Sequence, residues 1–172
     1  MPDRSKLVRM KIVNFGCIGP DGLDIALDDI VCLVGVNNCG KSTVLRAYEA
    51  AVDMLELQHD EIHAKADGTP ATVELWVHIP AGAANIDAKW KEAKEGLLLV
   101  RSKWEWRPSQ SKSGAVTYKP FRSTWDPESN EYADDGKAAG LDTVFNSRLP
   151  KPFRIGSLEN PEDEHKKLLE LV

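Results

Sequence analysis

Nine consecutive residues carry the types and spacing of a phosphate-binding loop. Gly35-Val36-Asn37-Asn38-Cys39-Gly40-Lys41-Ser42-Thr43 reads G-x-x-x-x-G-K-S-T. Each residue type has a physical task. Gly35 and Gly40 let backbone approach phosphate oxygens without a side chain in the way. Lys41 offers an ammonium point charge to the β- and γ-phosphates. The Ser42 hydroxyl is the expected protein ligand to Mg²⁺, which prefers oxygen and keeps several waters. Thr43 is expected to give its N–H, and its hydroxyl, to the α-phosphate. Asn37, Asn38 and Cys39 complete the nucleotide-binding stretch, and the predicted ligands are ATP and Mg²⁺.

Such a loop works only in a particular frame. A strand must end where it begins, and a helix N-terminus must supply free N–H groups and the positive end of the macrodipole. Here the apolar run Ile30-Val31-Cys32-Leu33-Val34 predicts the strand. Val44-Leu45, Ala47-Tyr48, Ala51-Val52 and Leu55 predict the helix. Two more strands are expected upstream, where Val8-Arg9-Met10-Lys11-Ile12 alternates apolar with charged residues and Leu23, Ile25 and Leu27 repeat every second position. Asn14-Phe15-Gly16 and Gly19-Pro20-Asp21-Gly22 supply turn chemistry between them. Small-molecule kinases usually open on the loop strand itself, so the upstream pair argues against one. A GTPase would need an Asn-Lys-x-Asp motif and an Asp-x-x-Gly motif, and the sequence has neither.

The order Lys11-Ile12-Val13-Asn14-Phe15, Leu23-Asp24-Ile25-Ala26-Leu27, then Ile30 to Thr43 resembles the N-terminus of SMC-like and RecF-like ABC ATPases. The Asn37-Asn38-x-Gly-Lys-Ser form is most similar to the OLD (overcoming lysogenization defect) family of ATP-dependent nucleases, whose relatives include ATPase components of anti-phage systems. The resemblance is strong over roughly residues 7–57 and a matter of layout beyond. Many SMC-like loops carry Asn-Gly at the double-Asn position. Asn38 can stand there because Asn tolerates the left-handed backbone region better than other side chains. The resemblance implies ATP-driven association of heads into a homodimer or larger assembly, and DNA as a partner of the whole protein.

Composition sets bounds around this. The 172 residues carry a net charge of −5, so the chain as a whole presents no basic nucleic-acid surface. No apolar run is long enough to span a bilayer, and Met1-Pro2-Asp3-Arg4-Ser5-Lys6 has no signal-peptide pattern. Cys17, Cys32 and Cys39 form no metal-spaced pair, which points to a reducing cytoplasm. Cys39 beside a helix N-terminus and Lys41 could have a lowered pKa and be oxidant-sensitive. The plainer reading, which we favour, is a small side chain where relatives carry Ser.

Past the first helix the pattern turns to β. Val73, Leu75, Val77 and Ile79 predict a half-buried strand, Asn85 to Glu95 a short helix, and Leu97–Trp106 and Ala115–Trp125 two long strands. Pro108 to Gly114 reads as an exposed hairpin loop, Asp126 to Gly140 as an acidic loop, and Leu141 to Leu149 as a short helix. Trp104 and Trp106 share one strand face near Arg101, Lys103 and Arg107. A nucleic-acid platform is one reading; core packing is preferred, because aromatics favour strands and fill small lobes. His78 and the pair His59/His63 lack partnering ligands, so exposed polar residues are expected over a metal site.

Asn160-Pro161-Glu162-Asp163-Glu164 is a helix start with cap, proline and acidic first turn, and Leu168 to Val172 follows without a C-cap. A four-residue apolar run ending in Asp-Glu is missing after the loop. A Leu-Ser-Gly-Gly signature is missing too, since Ser113-Gly114 lies in the hairpin, and neither Gln58 nor Gln110 is placed for a Q-loop. No catalytic residue can therefore be assigned. The expected fold class is α/β, the N-terminal half of a P-loop NTPase (ABC/SMC-like) domain with an antiparallel β-lobe. Its segments are 1–57 with strands, loop and first helix, 70–157 as the lobe, and 160–172 as a helix that looks cut. The function expected is ATP–Mg²⁺ binding that gates a DNA-directed, nuclease-type activity in a longer protein, with hydrolysis by this chain alone nearly absent. Alternatives are an SMC/RecF-like repair ATPase without nuclease, a nucleotide-sensing module acting on a partner effector, and, less consistent with the N-terminal strands, a small phosphotransferase.

Overall fold

Alternation at period two builds most of the molecule. A computed structural model describes residues 4–80, 86–94, 96–110, 114, 116–133 and 149–151. Its strands are β1 (Lys6–Val13), β2 (Leu23–Ala26), β3 (Ala71–His78), β4 (Glu92–Lys94), β5 (Leu97–Gln110), β6 (Val116–Asp126) and β7 (Glu131–Tyr132). They form one sheet in the order β2-β1-β3-β5-β6-β7, with β4 against β5, and every pairing is antiparallel. The register puts Met10 beside Leu75, Ile12 beside Val73 and Val73 beside Trp104. These residues therefore share one face.

The single α-helix among the described residues, α1 (Lys41–Val52), lies on that face. It buries Val44, Ala47, Ala50, Ala51 and Val52, a stripe at helical spacing. Three of the five are alanines, so the helix axis can sit close to the sheet. Phe15, Leu57, Trp104 and Trp106 fill the layer between, all at 1 % exposure or less. Phe15 meets Trp106 edge-on at 5.7 Å between ring centres. The Trp106 indole N–H donates to the Leu55 carbonyl at 2.8 Å, and Trp104 Nε1 lies 3.1 Å from Met54 Sδ. The two tryptophans thus hold the chain leaving α1 against β5. They are core residues, as the preferred reading has it.

Arg101, Lys103 and Arg107 point the other way. On the outer face Arg101 pairs with Glu92, while Lys103 and Arg107 flank Glu105. Arg9 and Arg101 both stack over Trp76, and Arg101 stacks over Trp125 at 3.8 Å. The indole N–H of Trp76 donates to Glu74. Charge on this face is locally compensated, so a basic platform built on Trp104 and Trp106 does not exist.

Several sequence expectations need correction. Ile30–Val34 is not a strand: it is a bend at Ile30 followed by irregular chain outside the sheet, with Ile30 and Val34 about nine-tenths exposed. An unbroken apolar run suits a strand covered on both faces in a parallel sheet. Among the described residues no strand lies beside it, so the run has the composition of a buried strand without the neighbours that would make it one. Of the short helix expected over Asn85 to Glu95, the described residues 86–94 form instead a 3₁₀ turn at Ala88–Trp90 followed by β4. The Asp87 side chain accepts from the Lys89 N–H and closes that turn, while Lys94 extends along Leu97. β3 is buried on both faces over Leu75–His78 rather than half-buried; on the outer face Arg9, Lys94 and Arg101 cover Trp76. The hairpin strands run further than expected, to Gln110 opposite Val116. β7 occupies part of the acidic loop. The helices expected at Leu141 to Leu149 and from Asn160 onward, and most of residues 134–157, fall outside the described residues. No helix among the described residues is long and apolar enough to cross a membrane.

Candidate functional site: the phosphate loop and its cavity

The loop's shape follows from signs of φ. Asn38 has φ 62° and Gly40 φ 96°, while Cys39 between them is not left-handed. Alternating signs turn successive N–H groups toward one point, the concavity that cradles anions. The sequence reading of Asn38 as a side chain that tolerates this region holds. Gly40 is the N-cap of α1 and has no side-chain cap, so the first helical N–H groups are left for another acceptor. Space is as tight as backbone shape. A Cβ on Gly40 would stand 2.9 Å from Cys17 Sγ, and one on Gly35 2.7 Å from Cys39 Sγ. Only glycine fits either position without movement.

Lys41 lies back across the loop. Its ammonium donates to the carbonyls of Gly35 at 2.8 Å and Val36 at 2.7 Å, and approaches Cys39 Sγ at 3.6 Å. The charge is thereby centred over the loop that a phosphate would occupy. Ser42 is exposed at the second helical position, where its hydroxyl can reach a cation beside the phosphates. Thr43 is half-buried, with Oγ1 3.3 Å from Cys17 Sγ. The structure thus brings Gly35, Asn37, Asn38, Cys39, Gly40, Lys41, Ser42 and Thr43 together on one loop and helix start. Donor set and cradle fit a Mg²⁺-bound triphosphate.

Neighbouring turns fix the loop's far side. Gly16, at φ 53°, lies so close to Thr43 that a Cβ would be 2.9 Å from its Cγ2. The Gly16 N–H donates to Glu61 O at 2.7 Å, and Arg46 from α1 bonds Glu61 at 2.9 Å and Glu49 at 3.2 Å. Ionic contacts to both glutamates hold the Arg46 guanidinium above its ordinary pKa, with Glu61 the larger cause. Asn14, fully buried, donates its side-chain amide to Thr69 O at 3.4 Å and its backbone carbonyl accepts from His63 N–H. Segment 59–70 is therefore tied to the β1–β2 turn.

Between that segment and the β5–β6 hairpin lies a cavity of about 810 Å³, bordered by Gly16, Cys17, His63, Trp106, Pro108 and Tyr118. Sequence reasoning missed it, since its walls come from three distant segments. His59 and His63 are not on a helix face. His59 opens a 3₁₀ turn (His59–Glu61) that Gln58 and Glu61 cap reciprocally, and its Nδ1 is 3.3 Å from the Tyr118 hydroxyl. His63 Nδ1 accepts from Lys65 N–H. His78 is fully buried, with Nδ1 3.2 Å from Leu98 O, which corrects its expected exposure. Among the described residues no group of three or more His, Cys, Asp or Glu side chains could hold a metal.

No family model matches the sequence, and no curated protein matches it. Among solved structures, the chain is similar to one from work on the structural biochemistry of ATP-driven dimerization and DNA-stimulated activation of SMC ATPases. That likeness has a TM-score of 0.46 and 14 % identity, over 96 % of this chain and 99 % of the other.

Proposed function

We propose that this chain binds ATP with Mg²⁺ through Gly35–Thr43, as part of an ABC-type ATPase head. The observation that carries the reading is the loop itself: a complete G-x-x-x-x-G-K-S-T whose Asn38 and Gly40 take left-handed φ at the start of α1, with Lys41 folded over the cradle. Backbone N–H groups and Lys41 hold phosphate oxygens, and Ser42 contributes one oxygen to the Mg²⁺ shell. Mg²⁺, when bound, would neutralise charge on the triphosphate. Thr43 and Gly40 orient the chain of phosphates along the helix start.

The exposed run Ile30–Val34 supports a second element of the proposal. Its composition is that of a strand covered on both sides, so strands from a partner complete the sheet there. In that assembly ATP binding brings heads together and gates a DNA-directed activity, of which a nuclease is the kind that the OLD resemblance implies. A role in anti-phage defence belongs to the same reading. The test is calorimetric titration of the chain with Mg–ATP. Lys41→Ala should weaken binding at least tenfold, with turnover by the wild-type chain close to background. Unchanged affinity in Lys41→Ala would remove the assignment, and ordinary enzyme rates from this chain alone would remove the composite-site element.

A further inference from the structure

Every acceptor oxygen of Glu61 is engaged beside the phosphate loop. Oε1 accepts from Arg46 Nε at 2.9 Å, Oε2 from the Gln58 N–H at 3.0 Å, and the backbone carbonyl from the Gly16 N–H at 2.7 Å. Arg46 reaches over from α1, one turn beyond Thr43 on the same side of the helix. Phe15 and Ile62 form a bridge, and the His63 N–H donates to the Asn14 carbonyl at 3.0 Å. The turn that carries Gly16 and the turn that carries Glu61 are therefore fastened to each other.

Thr43 is what this assembly presses on. Gly16 stands against the Thr43 methyl with no room for a Cβ, and Cys17 Sγ lies 3.3 Å from Thr43 Oγ1. Both branches of the side chain are held from outside the helix. A helical threonine otherwise divides between two χ1 rotamers, and the rotamer decides where the hydroxyl points. The contacts close a ring: Thr43 to Gly16, Gly16 to Glu61, Glu61 to Arg46, and Arg46 back to α1. The Arg46 and Glu61 side chains are 32 % and 24 % exposed, so water screens their pairing less than that of a surface ion pair.

We propose that Glu61, held by Arg46, is a positioning residue for the nucleotide site: it sets the Gly16 turn against Thr43 and so aims the Thr43 hydroxyl at the α-phosphate. The inference rests on the phosphate-loop assignment and adds a determinant of affinity that lies outside Gly35–Thr43. Neither Glu61 nor Arg46 belongs to the phosphate cradle. Without the Glu61 carboxylate, Arg46 and the Gln58 N–H lose their common acceptor, the Gly16 turn draws back from α1, and Thr43 regains its second rotamer. One misaimed hydrogen bond to a charged phosphate corresponds to about tenfold in affinity.

The experiment compares Mg–ATP with Mg–pyrophosphate, which has no α-phosphate for Thr43 to meet, by calorimetry on the whole chain. Glu61→Ala should weaken Mg–ATP about tenfold and leave Mg–pyrophosphate within about twofold of wild type, which also shows that the variant is folded. Glu61→Gln, which keeps one acceptor, should show a smaller loss. Arg46→Gln, on an otherwise intact helix, should reproduce part of the loss, on ATP only. In a Thr43→Ser background, where no methyl meets Gly16, Glu61→Ala should lower ATP affinity by no more than about twofold further. Unchanged ATP affinity in Glu61→Ala would overturn the proposal, as would an equal loss on both ligands, or losses from Glu61→Ala and Thr43→Ser that simply add. Lys41→Ala separates the layers: it should weaken both ligands, and if it weakens neither, the phosphate-loop assignment is what has failed.

Discussion

Replacing Gly40 with alanine tests the geometry of the loop most directly. Two costs are separable. At φ 96° an L-residue is strained by about 1–2 kcal/mol. The added methyl also meets Cys17 Sγ at 2.9 Å; because Cys17 is exposed and can shift, that overlap costs about 1 kcal/mol. The sum, roughly 2–3 kcal/mol, is a large part of the ~5–15 kcal/mol that holds a domain together. Cys17→Ala removes the overlap and leaves the backbone strain. Gly40→Ala in that background should therefore cost about 1 kcal/mol less than in wild type, a coupling read from a double-mutant cycle. Urea unfolding followed by the fluorescence of buried Trp104 and Trp106 measures all four proteins. With m near 1–3 kcal/mol/M, the single variant's midpoint should fall by about 1 M. A loss below about 0.5 kcal/mol, or one that Cys17→Ala fails to relieve, would refute the described position of Gly40.

Other perturbations have definite signs. Trp106→Phe leaves the Leu55 carbonyl without its 2.8 Å donor in a buried site, so thermal unfolding should show a loss of about 1–3 kcal/mol. Arg46→Gln removes the contact to Glu61 at 2.9 Å; amide exchange at Gly16, whose N–H donates to Glu61 O, should quicken several-fold while the strand amides of β3 are unaffected. Asp24 is held below the usual carboxylate range, mainly by its two hydrogen bonds from Arg9. A lowered folded value stabilises above the unfolded pKa near 4 and is lost as pH falls through the folded one. The stability gap between wild type and Asp24→Asn, under about 1 kcal/mol because the pair is largely exposed, should therefore shrink as pH is lowered from about 4. A gap that widened on acidification would sink this account.

Legibility in the sequence tracked how local the determining physics is. Alternation over Val8–Ile12 and Leu97–Trp106, the stripe Val44–Val52 and the left-handed Asn38 are decided within a few residues, and each emerges where the pattern puts it. Ile30–Val34 shows the limit: its composition records neighbours, and a strand exists only when they are beside it. Asn85–Glu95 misled for another reason, since alanines and lysines there favour helix while Trp90 is drawn into the core and Lys94 into pairing with Leu97. His78 looked polar and exposed because alternation gives a face without saying what covers it. The cavity had no local signal at all. Its walls are joined by contacts such as Leu57 with Tyr118, across sixty residues of chain.

The Lys41 ammonium has a consequence for which anions this loop can take. Held by two carbonyls at 2.7 and 2.8 Å, it is internally solvated, and any anion competes with that arrangement. Charge-assisted hydrogen bonds are each worth about 1.5–3 kcal/mol. A small anion that offers the ammonium only one oxygen gains little by the exchange, whereas a polyphosphate meets the ammonium and the helix start together. The loop therefore imposes a threshold of valence and reach: orthophosphate and sulfate at millimolar levels should leave Mg–ATP affinity nearly unchanged, while pyrophosphate should compete. Strong inhibition by orthophosphate would show that no such threshold operates.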